Sequence, residues 1–133
     1  MSKSFPAAVP EIPVRNISAA AEYYEKCLGF TRDWGADGGG IAQVSRGKCR
    51  LFLTDPGFRR ENRHPTEPVV TWLNFASKAE VDAIHEAWRA AGARILSKPE
   101  SKPWNLHEFL AEDVDGNRLR VFYDFAWELP GKV

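Results

Sequence analysis

The sequence has few cysteines, no excess of either charge and no long apolar run, and each shortage argues against a class of protein. Its two cysteines, Cys27 and Cys49, form no Cys-x-x-Cys or Cys/His cluster, which argues against a disulfide framework or zinc site and favours reduced thiols in the cytoplasm. Lys plus Arg and Asp plus Glu each number 18, whereas nucleic-acid-binding proteins usually carry a basic excess. No apolar run approaches the roughly 20 residues of a membrane span, and residues 1–10 lack the apolar block of a signal peptide. We therefore expect no nucleic acid and no membrane as partner.

What remains is the composition of one small folded domain rich in aromatic residues. The 133 residues are 44% hydrophobic and 27% charged, enough for a core and typical of a single globular unit. Five Trp, eight Phe and three Tyr are present. These rings either fill the core or line a pocket, and composition leaves both interpretations open.

The first half of the chain is predicted to contain a strand, a helix and three further strands. Residues 9–14 alternate in polarity as a strand does, although Pro10 and Pro13 cannot donate hydrogen bonds to a neighbouring strand. Apolar residues then recur at helical spacing between a capping residue, Asn16 or Ser18, and Gly29, which suits a left-handed C-terminal cap. The three strands are predicted at residues 30–34, 41–45 and 49–54, separated by the turns Gly38-Gly39-Gly40 and Arg46-Gly47-Lys48.

The second half repeats this order after a segment, residues 56–68, that is interpreted as a linker or as a loop over a site. Ser77-Lys-Ala-Glu80 is a capping box, and Gly92 ends the helix that follows it. The predicted elements are a strand at 69–75, a helical stripe of Val81, Ile84, Trp88 and Ala91, and strands at 93–96, 106–112 and 117–125, with a tight turn at Asp115-Gly116-Asn117. The pattern predicts one α+β domain, residues 1–133, of two βαβββ modules at about 9–55 and 69–125; a single unrelated α+β sheet stays the alternative.

Two segments of the sequence resemble the vicinal oxygen chelate superfamily, which includes glyoxalase I, extradiol dioxygenases and bleomycin resistance proteins. Residues 13–30, Pro-Val-Arg-Asn-Ile-Ser-Ala-Ala-Ala-Glu-Tyr-Tyr-Glu-Lys-Cys-Leu-Gly-Phe, are similar to its first-helix signature. Residues 104–122, with the run Asp-Val-Asp-Gly-Asn, are similar to its last hairpin and most like the bleomycin resistance branch. The resemblance implies the glyoxalase/bleomycin resistance fold, in which paired βαβββ modules form a cupped mixed sheet around the site, and a homodimer.

The metal enzymes of that superfamily place ligands at four inward positions, which correspond in this sequence to Val9, Phe52, Val70 and Arg120. Hydrocarbon side chains and a guanidinium cannot ligate a divalent cation. Glu11 and Glu108 share the inward face, but two carboxylates alone make a poor transition-metal site. His64 in the linker and His85 in the second helix are interpreted as surface residues, whereas His107 is expected nearer the mouth of the cup. The resemblance therefore predicts no metal and no cofactor.

The same register implies which residues line the cup. The predicted ligand-binding residues are Glu11, Trp34, Arg50, Phe52, Trp72, Asn74, Trp104, Glu108, Arg120 and Phe122, with Val9, Pro13, Thr54, Val70 and Leu110 completing the wall. The residues that alternate with these along the strands are expected to face the helices: Leu51, Leu53, Thr71, Leu73, Phe75, Leu119 and Val121. Trp104 corresponds to a tryptophan that stacks on drug in the bleomycin resistance proteins. Glu108 and Arg120 are expected either to pair across their hairpin or to orient a ligand.

Three functions fit these residues. The first is a binding protein that sequesters a planar or amphipathic, bleomycin-like compound and so confers antibiotic resistance. The second is a glyoxalase-like lyase or isomerase, or a dioxygenase-family enzyme, with a displaced metal or none. The third is a protein whose cup is filled by its own side chains and serves only for dimerisation. The fold alone does not choose among them, since it supports several unrelated chemistries.

Overall fold

The computed structural model describes residues 5–35 and 39–130, and it is the α+β fold that the sequence predicts. Gly38 of the predicted glycine turn lies outside the described residues. The first module contains β1 (Glu11–Pro13), α1 (Ile17–Leu28), β2 (Thr31–Gly35), β3 (Ile41–Arg46) and β4 (Cys49–Thr54). After α2 (Pro56–Asn62), the second contains β5 (Val70–Asn74), α3 (Lys78–Ala90), β6 (Arg94–Ser101), β7 (Leu106–Glu112) and β8 (Arg118–Asp124), followed by a 3-10 helix, Phe125–Glu128. None of the described helices has the length and apolar character needed to cross a membrane.

Each module forms its own four-stranded mixed sheet. The strand orders are β1-β4-β3-β2 and β5-β8-β7-β6, and β1 and β5 run parallel to β4 and β8 while the remaining pairs are antiparallel. β1 and β5 are therefore edge strands, the position in which β1 tolerates Pro13. The predicted register is confirmed in both sheets, because Leu51, Leu53, Leu119 and Val121 are buried against the helices.

Capping residues fix the helices where the sequence places them. Asn16 accepts a hydrogen bond from the Ala19 amide at 2.9 Å, and Gly29 ends α1 with a left-handed φ of 77°. Ser77 accepts from the Glu80 amide at 3.1 Å at the start of α3. Ala91, predicted to belong to the buried stripe of this helix, is exposed because α3 ends one residue earlier.

The segment predicted as a linker or loop contains the helix α2. Its start carries two ordinary helix signals, since Asp55 accepts a hydrogen bond from the Phe58 amide at 2.9 Å and Pro56 occupies the first turn. Seven residues are too few to show an apolar period, which explains why the helix is missed. The Arg59 side chain turns inward from α2, is buried, and donates to the carbonyl oxygens of Thr54 and Val14.

One buried core joins the modules. The Trp88 indole of α3 donates to the Leu28 carbonyl oxygen at the end of α1, at 3.1 Å. The Tyr24 hydroxyl of α1 donates to Asp113, between β7 and β8, at 2.8 Å. Since both sheets turn their helix-covered faces toward this shared core, their other faces point outward.

Candidate functional site

The ten predicted ligand-binding residues lie on two outward faces within one chain. The first face, on the sheet of the first module, carries Glu11, Trp34, Arg50 and Phe52. The second face, on the other sheet and the loop before β7, carries Trp72, Asn74, Trp104, Glu108, Arg120 and Phe122. Among the described residues, no hydrogen bond or ring contact joins the two faces. In a single chain the predicted residues therefore form two separate groups.

Glu108 is the electrostatic centre of the second face. It is only 1% exposed although it lies on the outward side of β7, because larger side chains cover it. The Arg120 guanidinium on β8 pairs with one of its carboxylate oxygens, and the Trp104 indole N–H donates to the other at 2.9 Å. The expected pairing across the hairpin is thus present, and it neutralises the carboxylate while fixing Trp104.

Aromatic rings cover this buried pair and remain accessible. The Arg120 guanidinium lies 5.0 Å from the centre of the Trp72 ring, and Trp72 meets Phe122 edge-to-face at 5.5 Å. Trp72 is 50% exposed and Trp104 58% exposed. Their rings are held from beneath by the ion pair, and their open faces offer flat surface for stacking.

The first face repeats the combination of rings and a tethered arginine. Trp34 and Phe52 lie 5.7 Å apart with their planes inclined by 53°, and Arg50 lies 5.7 Å from the Phe52 ring. The Arg50 guanidinium is held by the Gln43 amide oxygen at 2.8 and 3.1 Å. The Gln43 amide donates to Asp33 at 2.9 Å, and this hydrogen bond is the main cause of the lowered pKa of the Asp33 carboxyl.

Glu11 carries a partner on the first face that sequence reasoning missed. The His64 Nδ1 atom lies 2.8 and 2.9 Å from the two oxygens of the Glu11 carboxylate, and the Thr54 hydroxyl donates to it at 3.0 Å. His64 is exposed, as the sequence suggests, but its contact with Glu11 was not predicted. No local signal reveals this pair, because α2 and the left-handed Arg63 that follows it return the chain to β1.

Several residues expected in or near a cup are buried or face a helix instead. Pro13 and Thr54, predicted to line its wall, are buried. His107, expected near its mouth, faces the helix instead, with Nε2 at 2.8 Å from Asp82 and Nδ1 at 2.9 Å from the Ser101 hydroxyl. The cause is the alternation of side chains along β7: Glu108 points outward, so the residues on either side of it point inward.

The four positions that hold metal in superfamily enzymes do not fit a cation in this chain. Phe52 and Val70 present hydrocarbon, and the Arg120 guanidinium is committed to Glu108. The described residues include no group of three or more His, Cys, Asp or Glu side chains arranged to hold a metal ion. The pair of Glu11 and His64 supplies only two donors, fewer than the three protein ligands usual at a catalytic zinc.

Comparison with known families identifies the superfamily of the chain. The family model of the Glyoxalase/Bleomycin resistance protein/Dioxygenase superfamily matches residues 7–121. The chain belongs to this superfamily. No curated protein matches it in sequence.

Solved structures of superfamily members share the fold of the chain. A glyoxalase/bleomycin resistance protein/dioxygenase from Nocardioides is 24% identical with a TM-score of 0.75, over 98% of this chain and 88% of that one. Lactoylglutathione lyase from Agrobacterium tumefaciens is 19% identical with a TM-score of 0.71, over 93% and 98%. The bleomycin-binding protein from Streptomyces verticillus, complexed with copper(II)-bleomycin, is 23% identical with a TM-score of 0.66, over 90% and 97%. At these identities the likeness concerns the fold, so the choice of function depends on the site residues.

Proposed function

We propose that this superfamily member binds a planar or amphipathic drug-like molecule and sequesters it unchanged, as a cytoplasmic homodimer without a metal. The observation that supports this most directly is the accessible aromatic surface of Trp72 and Trp104, fixed over the buried Glu108 carboxylate and its partner Arg120. Rigid rings bind flat ligands with little loss of side-chain freedom. Two of the four superfamily positions for metal ligands, Phe52 and Arg120, carry predicted ligand-binding side chains instead.

A second copy of the chain is proposed to complete the site. Trp34, Val70, Trp72 and Trp104 are all exposed in the single chain, and a second copy packed on these faces would cover them. A two-fold dimer that sets the first face of one copy against the second face of its partner forms two equivalent grooves. Each groove then contains all ten predicted ligand-binding residues.

The charge of the site bears on the ligand. Bleomycin-like glycopeptides are the leading candidates because the hairpin that follows Trp104 resembles the bleomycin resistance branch. Arg120 neutralises Glu108 on the second face, and the chain as a whole carries no net charge. We therefore expect cationic ligands to bind more weakly than they do to an acidic relative, with stacking as the main source of affinity.

Calorimetric titration with metal-free bleomycin tests the binding proposal. Trp104→Ala should weaken binding by about 1–3 kcal/mol, which is about 5- to 150-fold, because a stacking anchor is lost. Trp127→Ala is the matched control, since Trp127 is 73% exposed on the C-terminal 3-10 helix and should change affinity little. Equal binding by wild type and Trp104→Ala would exclude the groove, and a chemically altered ligand in mass spectra would exclude sequestration.

The dimer is tested separately by sedimentation at micromolar concentration. A two-fold dimer is expected. A monomer at that concentration would reject the shared groove while leaving the fold and the second face intact.

The alternative is a glyoxalase-like lyase or isomerase, or a dioxygenase-family enzyme with a displaced metal. Glu11 favours it, because a carboxylate bonded to Nδ1 orients the His64 imidazole and leaves Nε2 without a described partner. Turnover of the glutathione–methylglyoxal hemithioacetal, lost in His64→Gln and kept in His85→Gln, would establish it. No turnover by the wild type would set aside the lyase form of this alternative.

A further inference from the structure

We infer a second ligand site in a cavity of about 560 Å³ between the modules, next to the second face, and we assign to it a small amphipathic anion. The anion is an organic carboxylate or sulfonate with an aromatic or aliphatic body. The cavity opens between the turn that joins β3 to β4 and the free edge of β5, above α3. The cavity shares Trp72 and Asn74 with the second face, but the inference rests on its helix-side walls and basic rim and not on the proposed drug groove.

The cavity exists because the last hairpin of each module has a connection of different length. Between β7 and β8 the connection has five residues, 113–117, and it fills the space beside β1. There the Asn117 amide donates to the Pro13 carbonyl oxygen and Arg15 pairs with Asp115, both at 2.8 Å. The corresponding connection between β3 and β4 has only Gly47 and Lys48, which leaves the space beside β5 open.

The walls of this cavity are largely apolar and come mostly from the helix side of the sheets. Phe30, Phe75, Ile84 and Trp88 line it from that side, and Trp72 and Asn74 line it at the free edge of β5. Trp88 is nearly fully buried and held by its hydrogen bond to Leu28, so the innermost wall is rigid. The volume lies within the usual range for small-molecule sites, and the walls can bury a hydrocarbon or aryl group.

The rim of the cavity carries positive charge without a carboxylate. Arg46 and Lys48 are at the opening, and none of the lining residues is Asp or Glu. Arg46 donates to the Leu28 carbonyl oxygen at 2.8 Å, and Lys48 has no hydrogen bond to a described residue. Several other cations pair with carboxylates, as Arg94 does with Glu112 and Lys26 with Glu22. Two cations at the opening of an apolar cavity favour a ligand that has an anionic group and an apolar remainder.

Two fluorescent probes that differ in one sulfonate test the charge. 1-Anilinonaphthalene-8-sulfonate should bind at one molecule per chain and more tightly than the neutral N-phenyl-1-naphthylamine. Lys48→Gln should weaken the sulfonate by about 3- to 5-fold, the effect of one partly screened charge, and leave the neutral probe unchanged. Lys98→Gln, an exposed lysine on β6, is the matched control and should change neither. Equal affinity of the two probes would overturn the inference.

Cysteine alkylation tests the location. Cys49 lines the cavity, whereas Cys27 on α1 lies outside it and serves as an internal reference in the same peptide mass spectra. The bound sulfonate should slow alkylation of Cys49 without changing that of Cys27, and Trp104→Ala should leave this protection intact. Unchanged alkylation of Cys49, or protection abolished by Trp104→Ala, would place the probe elsewhere and overturn the inference. Bleomycin binding to the wild type is measured separately, so this site and the drug groove can fail independently.

Discussion

The side-chain amide of Asn117 donates to the carbonyl oxygen of Pro13 at 2.8 Å, joining residues 104 positions apart in the chain. The same amide donates to Asp113 at 3.0 Å, and the Asn117 side-chain oxygen accepts from the Val69 amide at 3.0 Å. Asn117 is 1% exposed. One buried side chain thus links the first strand of one module to the last hairpin of the other.

Asn117→Ala should lower the free energy of unfolding by about 2–4 kcal/mol, because it removes three hydrogen bonds and leaves buried polar groups unpaired. Urea denaturation measures the change. Asn62→Ala is the matched control, since its exposed side chain bonds only to the Phe58 carbonyl oxygen of its own helix; about 0.5 kcal/mol or less is expected. Similar changes in the free energy of unfolding for the two variants would contradict the role of Asn117 in linking the two modules.

Arg120→Gln should destabilise the fold by about 2–3 kcal/mol, because the buried Glu108 carboxylate loses its cation. The cost is below that of a fully buried pair, since the Arg120 side chain is 31% exposed. The double variant Glu108→Gln/Arg120→Gln should recover part of this loss, because no charge is then buried. A double-mutant cycle in urea measures the coupling, and additive effects would contradict the pair.

Cys49 should react with thiol reagents only at higher pH than an ordinary cysteine. Burial raises the pKa of its thiol. The folded state therefore keeps the proton to higher pH than the unfolded chain. The contribution of this thiol to the free energy of unfolding is constant at neutral pH. It falls as the pH rises from the ordinary thiol pKa to the raised pKa of Cys49. The alkylation rate of Cys49, measured between about pH 7 and 10, should rise at higher pH than that of an unperturbed cysteine. The pH dependence of an unperturbed cysteine would contradict burial of the thiol.

Protein purified without chelator should contain no stoichiometric divalent metal, because the superfamily ligand positions carry Phe52, Val70 and Arg120. Elemental analysis measures this directly. A stoichiometric zinc, nickel, manganese or iron signal that disappears in Glu11→Gln would contradict the prediction. It would instead indicate a displaced site built on Glu11 and His64, and it would support the enzymatic alternative.

The parts of the fold that local chemistry controls were predictable from the sequence. Asn16, Gly29 and Ser77 mark helix ends because caps satisfy backbone groups within a few residues. Strand β6 was predicted too short, ending at residue 96, because Pro99 obscures the pattern; as an edge strand, β6 tolerates it. The second-face pair of Glu108 and Arg120 was one of two alternatives that the sequence left open, since alternation puts both on one side of one hairpin.

By itself the sequence determined the two βαβββ modules, the buried side of each strand and the residue types at the superfamily's metal positions, because these depend on short-range periodicity and on single side chains. Only the tertiary structure decided that the predicted cup is divided into two outward faces, that His64 meets Glu11, and that a cavity remains beside β5. These features arise where segments distant in sequence pack together. Hydrophobic burial drives such packing without direction, and the geometry of long-range contacts such as Asn117 to Pro13 sets the final arrangement.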